Sequence, residues 1–385
     1  MSTNNVTLVW QDTNLIEKGH KIYRSDSPMD VNNMPTAFAT LAKNSTSYTD
    51  MNLTVGDTWF YRVSAFIDGH EMFSEEIELT VTKKYSIYTV SDDDTTIKLN
   101  GEGIEDWIST QHTNNVNDVA IDANDNVFTV SDDQLLIMTN SADTKQWEFN
   151  GHSAIINSVS VNNGNEVFTA DNSGILKKID YSGNEVWSIS AHSSAINQVY
   201  ADYGGVVYTV SNDNTLKRWD NDGQLDKSLS LSSTPNSVKT NIYTSAIIVA
   251  EGNDVVVYDY NMNEQLRITS HSNTVNEVVF DTNGYIVSGS SDGTVKKTDF
   301  EGNEVYSHNN GNSISSVAIN KNGDVFFTDS VFDLKMLNNS GNVVWTYNQH
   351  TATINRVNTT RLVELLPNVD FTVGWENLMA QHLWD

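Results

Sequence analysis

Hydrophobic positions in this chain follow two regimes. Between residues 6 and 82, apolar and polar side chains alternate in short runs: VTLVW (Val6–Trp10), HKIYRS (His20–Ser25), SYTD (Ser47–Asp50), TWFYRVSAF (Thr58–Phe66) and EEIELTV (Glu75–Val81). A period of two predicts half-buried strands. From Tyr85 onward a longer pattern is laid over the alternation: a β-branched residue, two spacers and a valine. It runs Val116 to Val119, Ile156 to Val159, Ile196 to Val199, then through Val238, Val275 to Val278, Ile314 to Val317 and Ile354 to Val357. The closing valines are 40, 40, 39, 40, 39 and 40 residues apart.

A fixed period of about 40 residues, each filled by short strands, predicts a β-propeller. Each unit reads as four strands. An inner strand such as Val116–Ile121 leads into a polar turn, Asp122–Asn126, and a second strand, Val127–Ser131. After an acidic turn comes a third strand, Leu135–Thr139, then a fourth bearing an aromatic residue: Trp107, Trp147, Trp187, Tyr306 or Trp345. Turns before these aromatics, such as Tyr181–Asn184, Phe300–Asn303 and Ser340–Asn342, carry the Gly or Asn that tight hairpins need. The first unit opens at its second strand, Ser86–Val90, whereas an inner strand recurs alone at Ile354–Val357. Joining the two completes a seventh blade and removes two open sheet edges. The expected fold is all-β: a sandwich in residues 1–83, a seven-bladed propeller in 84–363 closed by a C-terminal strand, and an apolar tail in 364–385.

Composition narrows the function. Fifty acidic against 22 basic residues give a formal charge of −28 over 385 residues, which opposes nucleic acid and anionic membrane surfaces. Cysteine is absent, so disulfides and thiolate metal sites are excluded. No apolar run approaches the roughly 18 residues of a membrane span, and MSTNNVTLVW does not read as a secretory signal. A soluble protein without membrane insertion is expected.

His112, His152, His192, His271 and His350 share one repeat position, four residues before the apolar member of each pair. Acidic turns recur at Asp92–Asp94, Asp132–Asp133, Asp213 and Asp292. Equivalent blade positions lie on a wide circle and cannot converge on one ion with ~2.1 Å ligand distances, so a histidine metal centre is not expected. Strings such as Ser91–Thr95 and Ser290–Thr294 suit either Ca²⁺ or turns bonded to their own backbone; none has the spacing of a calcium loop. His192, Ser211, Asp213 and Trp219 match the hydrogen-bond tetrad of WD40 repeats, and Trp219-Asp220 is a WD dipeptide. The propeller therefore resembles the WD40 family, in which such a tetrad is structural. Elsewhere the Trp position holds Ile179, Tyr258, Thr298 or Leu337, and Asn310 stands where one blade would carry its histidine. The Gly-Asn-Glu-Val-Trp segments resemble quinoprotein propellers, but no convergent set of Arg, Lys and Trp for a pyrroloquinoline is found. Without a nucleophile elbow, P-loop, dinucleotide fingerprint or His-Glu-x-x-His, no catalytic, cofactor or metal site is expected.

Trp10, Tyr23, Tyr48 and Tyr61 fall in the order of a fibronectin type III domain, which the first 75 or so residues resemble, with the first edge strand missing. The tail concentrates Phe371, Trp375, Leu378 and Trp384, too apolar for a solvated linker. Two roles stay open for it: a strand completing the sandwich edge, in its own chain or a neighbour's, or docking onto an assembly. Together these features resemble a bacteriophage virion protein of tail, baseplate or head-decoration type. That resemblance implies a non-enzymatic protein, anchored to other virion proteins or to itself and offering the propeller to a host surface glycan or protein. Tyr181, Tyr203 and Tyr285 are the candidate glycan contacts. The alternative is a WD40-type protein-docking scaffold of the bacterial cytoplasm, or an adhesin of the cell surface.

Overall fold

A computed structural model describes residues 4–10, 17–53, 57–80, 85–241, 245–281, 283–360 and 369–371, and no helix occurs among them. The chain divides into two compact units: Met1–Lys84 with Glu364–Asp385, and Tyr85–Val363.

In the first unit the alternation of VTLVW turns Val6, Leu8 and Trp10 to one side, where they share a core with Ile22, Tyr61 and Val63 of a second sheet. Asn4–Trp10 pairs antiparallel with Ser47–Leu53. On its other side it pairs in parallel with Val369–Phe371, Leu8 opposite Val369 and Trp10 opposite Phe371. The expected tail residues Trp375, Leu378 and Trp384 lie outside the described residues. The second sheet runs Ala39–Ala42, Gly19–Ser25, Thr58–Ile67, with His70–Phe73 and Ile77–Thr80 both on the far side of Thr58–Ile67. Between the sheets, buried Asp50 accepts Tyr61 Oη–H at 2.7 Å and Arg24 at 2.8 Å, so its charge is paired as burial requires.

The second unit contains seven four-stranded antiparallel sheets among the described residues. Their inner strands are Val116–Ile121, Ile156–Val161, Ile196–Ala201, Pro235–Thr240, Val275–Phe280, Ile314–Ile319 and Ile354–Thr359. Each inner strand touches the next, and Ile354–Thr359 meets Val116–Ile121, so the circle closes and the unit is a β-propeller. Closure is made by Ile354–Thr359 pairing with Ile87–Ser91, Val357 opposite Thr89. Second strands such as Val127–Ser131 are buried throughout, because a neighbouring blade covers each face. One such interface joins Phe168, Ala170 and Leu176 of one blade to Ile196, Val199 and Val207 of the next. Fourth strands are the free outer edges, and each carries a β-bulge; Val186, for example, is the extra residue between Glu185 and Trp187. Bulges of this kind blunt an edge against pairing with another chain.

Candidate binding face and axial cavity

The recurrent histidines are spent within their own blades. His192 Nδ1 lies 3.0 Å from Asp213, and its Nε2 lies 2.7 Å from the Thr209 hydroxyl, which also receives Trp219 Nε1–H at 2.9 Å. One hydrogen-bond direction therefore runs from Trp219 through Thr209 to His192 and on to Asp213. Ser211, the hydroxyl expected from sequence, is not the bridge; its Oγ accepts the Asp213 amide and shapes the turn. Thr209 and Ser211 lie two residues apart on one strand and so share a face, with Thr209 at the depth of the histidine. His112, His152, His271 and His350 repeat the contact with Thr129, Thr169, Ser288 and Thr89.

The carboxylates of the acidic turns are equally committed. Asp292 Oδ1 accepts the Thr294 amide and hydroxyl, while its Oδ2 faces His271 and accepts the Ser272 amide. Asp93 repeats this arrangement with Thr95, His350 and Thr351. In three blades the acid moves two residues back, to Asp171, Glu251 or Asp329, in place of the serine at Ser91, Ser131, Ser211 and Ser290. Burial alone would raise these acids, but their hydrogen bonds outweigh it and hold Asp133, Asp213 and Asp292 at about 2. Burial pushes His192 down to about 4 against the pull of Asp213, so the ring is neutral.

Fourth-strand aromatics work between blades. Trp107, Trp147, Trp187 and Trp345 each donate Nε1–H to a turn carbonyl of the following blade: Ser141, Tyr181, Asn221 and Gly101, at 3.0–3.3 Å. Under Trp147 sits Gly183 at φ +86°, where a Cβ would come within 3.0 Å of the ring. These tryptophans line the rim rather than the axis.

Two belts encircle the axis that sequence reasoning did not find. The second residue of each inner strand sits at a β-bulge, and in six of seven strands it is asparagine: Asn117, Asn157, Asn197, Asn236, Asn276 and Asn355. Each donates Nδ2–H to the first carbonyl of the next inner strand, from Ile156 at 3.0 Å to Val116 at 2.9 Å. The third residues form an inner ring of Asp118, Ser158, Gln198, Ser237, Glu277, Ser316 and Arg356. All but Arg356 accept the amide of the valine one blade on, as Asp118 does from Val159 at 3.0 Å. The serines of this ring also donate backwards, Ser158 to Asp118, Ser237 to Gln198 and Ser316 to Glu277. Three acceptor–serine pairs leave one member over. That member is Arg356, which bridges Asp118 (Nε, 3.0 Å) and Glu277 (Nη1, 2.5 Å). Burial opposes its charge, yet the two acids raise its pKa further.

Beyond this ring, toward the turns that follow the inner strands, an axial cavity of about 470 Å³ opens. Lys239, Tyr200, Tyr203 and Phe280 are among its lining residues. Tyr203 is 59% exposed at its mouth and makes no side-chain hydrogen bond among the described residues. The other two candidate tyrosines are occupied. Tyr181 Oη–H donates to Asp122 at 2.8 Å, and Lys297 covers the Tyr285 ring at 4.9 Å. No cluster of metal-ligating side chains occurs among the described residues.

Comparison with known families gives two matches inside the propeller. Residues 132–263 match the family described as outer membrane protein assembly factor BamB. Residues 263–299 match the WD domain, G-beta repeat. No curated protein matches the chain. These WD40 and BamB-like repeats, with the four-stranded sheets, fit a β-propeller.

Proposed function

We propose that the chain is a non-enzymatic protein-docking module, its propeller receiving a partner on the face where the axial cavity opens. One observation carries this reading. The recurring His, Asp, Asn and Trp side chains are committed to joining strands, whereas Tyr203 stands exposed at the cavity mouth. An exposed tyrosine is a common anchor at protein interfaces. WD40 and BamB-like repeats favour a protein-docking scaffold over the virion component expected from the overall style of the chain. The first unit is proposed to be a fibronectin III-type sandwich, on the strength of its buried Trp10, Tyr23 and Tyr61. Affinity capture from the source cells with the wild-type chain and with Tyr203→Glu tests the docking face. A protein held by the first and released by the second supports it; equal retention by both, or none by either, rejects it.

A further inference from the structure

Polar groups beneath the axial cavity are almost all saturated. Asp118 Oδ1 faces Arg356 and the Val119 amide, and its Oδ2 accepts from Ser158 and Val159. Glu277 accepts from Arg356, Gln198, Ser316 and the Val317 amide. Lys239 stands apart from these groups. It stands in the layer formed by the fifth residues of the inner strands, where its equivalents are Ala120, Ser160, Tyr200, Val279, Ala318 and Asn358. Its Nζ is 4.0 Å from Glu277 Oε1 and 5.3 Å from the centre of the Tyr200 ring, and it makes no hydrogen bond among the described residues. Its side chain is 24% exposed and lines the cavity. Three N–H donors are thus held in a pocket of ligand size with no protein acceptor within hydrogen-bonding distance among the described residues.

We propose that the axial cavity binds a small organic monocarboxylate, its oxygens accepting hydrogen bonds from Lys239 and its apolar body lying against Tyr200, Tyr203 and Phe280. A carboxylate fits because a group with donors only, close to carboxylates already saturated, calls for an acceptor, and an anionic one bonds it most strongly. Burial pushes the Lys239 amine down against the attraction of Glu277, and an anion beside it would pull it back up. The overall charge of −28 disfavours polyanions, which limits the ligand to one negative group. The aromatic walls call for an apolar body and exclude inorganic anions as good ligands.

The probe is 4-phenylbutyrate, compared with its uncharged amide and with inorganic phosphate by titration calorimetry on the full chain. Saturable binding of the acid is expected, with the amide and the Lys239→Met variant each weaker by roughly ten- to a hundredfold. Tyr203→Ala is expected to weaken the acid by a smaller factor while leaving the amide-to-acid ratio in place. Equal binding of acid and amide, preference for phosphate, indifference to Lys239→Met, or no binding at all overturns the proposal. If Lys239→Met does not fold, amine labelling of the wild-type chain decides. Lys239 is then expected to be shielded by the acid and not by the amide, and labelling at an unchanged rate with the acid rejects the site.

Discussion

Arg356 Nε lies 3.0 Å from Asp118 Oδ1, joining the last inner strand of the ring to the first complete one. Every other member of the inner ring accepts the valine amide of the following blade, and a guanidinium cannot. Asp118 compensates by accepting the amide of its own neighbour, Val119, at 2.9 Å. The seam of the ring is thus an ion bridge where six other junctions are simple hydrogen bonds.

Removing that bridge is predicted to be costly. Arg356→Met leaves buried Asp118 without a cation and Glu277 with only Lys239 at 4.0 Å, and urea unfolding is expected to record a loss of about 3–5 kcal/mol. The triple variant Asp118→Ser/Glu277→Ser/Arg356→Ser is expected to recover most of this, because Ser158, Ser237 and Ser316 already serve the same position. A triple variant as weak as Arg356→Met would show that charge, rather than hydrogen bonding, holds the seam.

Acid is predicted to weaken the propeller in two stages. His192 is depressed to about 4 in the folded chain against about 6.5 unfolded, so its contribution is complete above 6.5 and is lost as pH falls toward 4. That loss is on the order of 3 kcal/mol. Asp133, Asp213 and Asp292, held at about 2, contribute fully above about 3.8 and lose their share as pH falls from there to 2. Thermal unfolding followed from pH 7 to about pH 2 checks both stages, and His192→Asn is expected to flatten the upper one.

Gly183→Ala is predicted to destabilise by roughly 1–3 kcal/mol, since the new methyl meets Trp147 and the backbone stays at positive φ. Trp147→Phe, which keeps a ring but loses the bond to Tyr181 O, is expected to cost about 1 kcal/mol. Denaturant midpoints of the two variants and of their combination measure whether ring and glycine act as one contact. Full additivity would argue that they do not.

Asn157→Asp is predicted to destabilise more than Asn157→Ala. The alanine loses donors to Ile196 O and Asn172 Oδ1, at about 1 kcal/mol, whereas the aspartate turns an anionic acceptor toward both oxygens. Unfolding midpoints that rank the other way would remove the belt from the account of stability.

The repeat is legible because the β-branched residue and the valine bracket a bulge that recurs in every inner strand, and the closing strand is legible because Ile354–Val357 has no blade of its own. The bridging hydroxyl was open to reading but missed. A hydroxyl at the position of Thr209 accompanies every one of the five histidines, whereas Val249 and Phe327 stand there in the two blades without one. Ser211 fails that test, since Asp171 replaces it beside His152. The asparagine belt was hidden by abundance, because Asn also fills the turns of this chain. Lys239 offered no signal, because its place in an axial layer depends on seven strands meeting around one cavity.

Pairing Ile354–Thr359 with Ile87–Ser91 also has a consequence for biosynthesis. Ile87–Ser91 leaves the ribosome well ahead of Ile354–Thr359, the strand it must wait for. At about 5–20 residues per second this delay is on the order of tens of seconds. Throughout it the edge of Ile87–Ser91 is unpaired, so the nascent chain depends on a chaperone or on local charge to keep that edge from other strands.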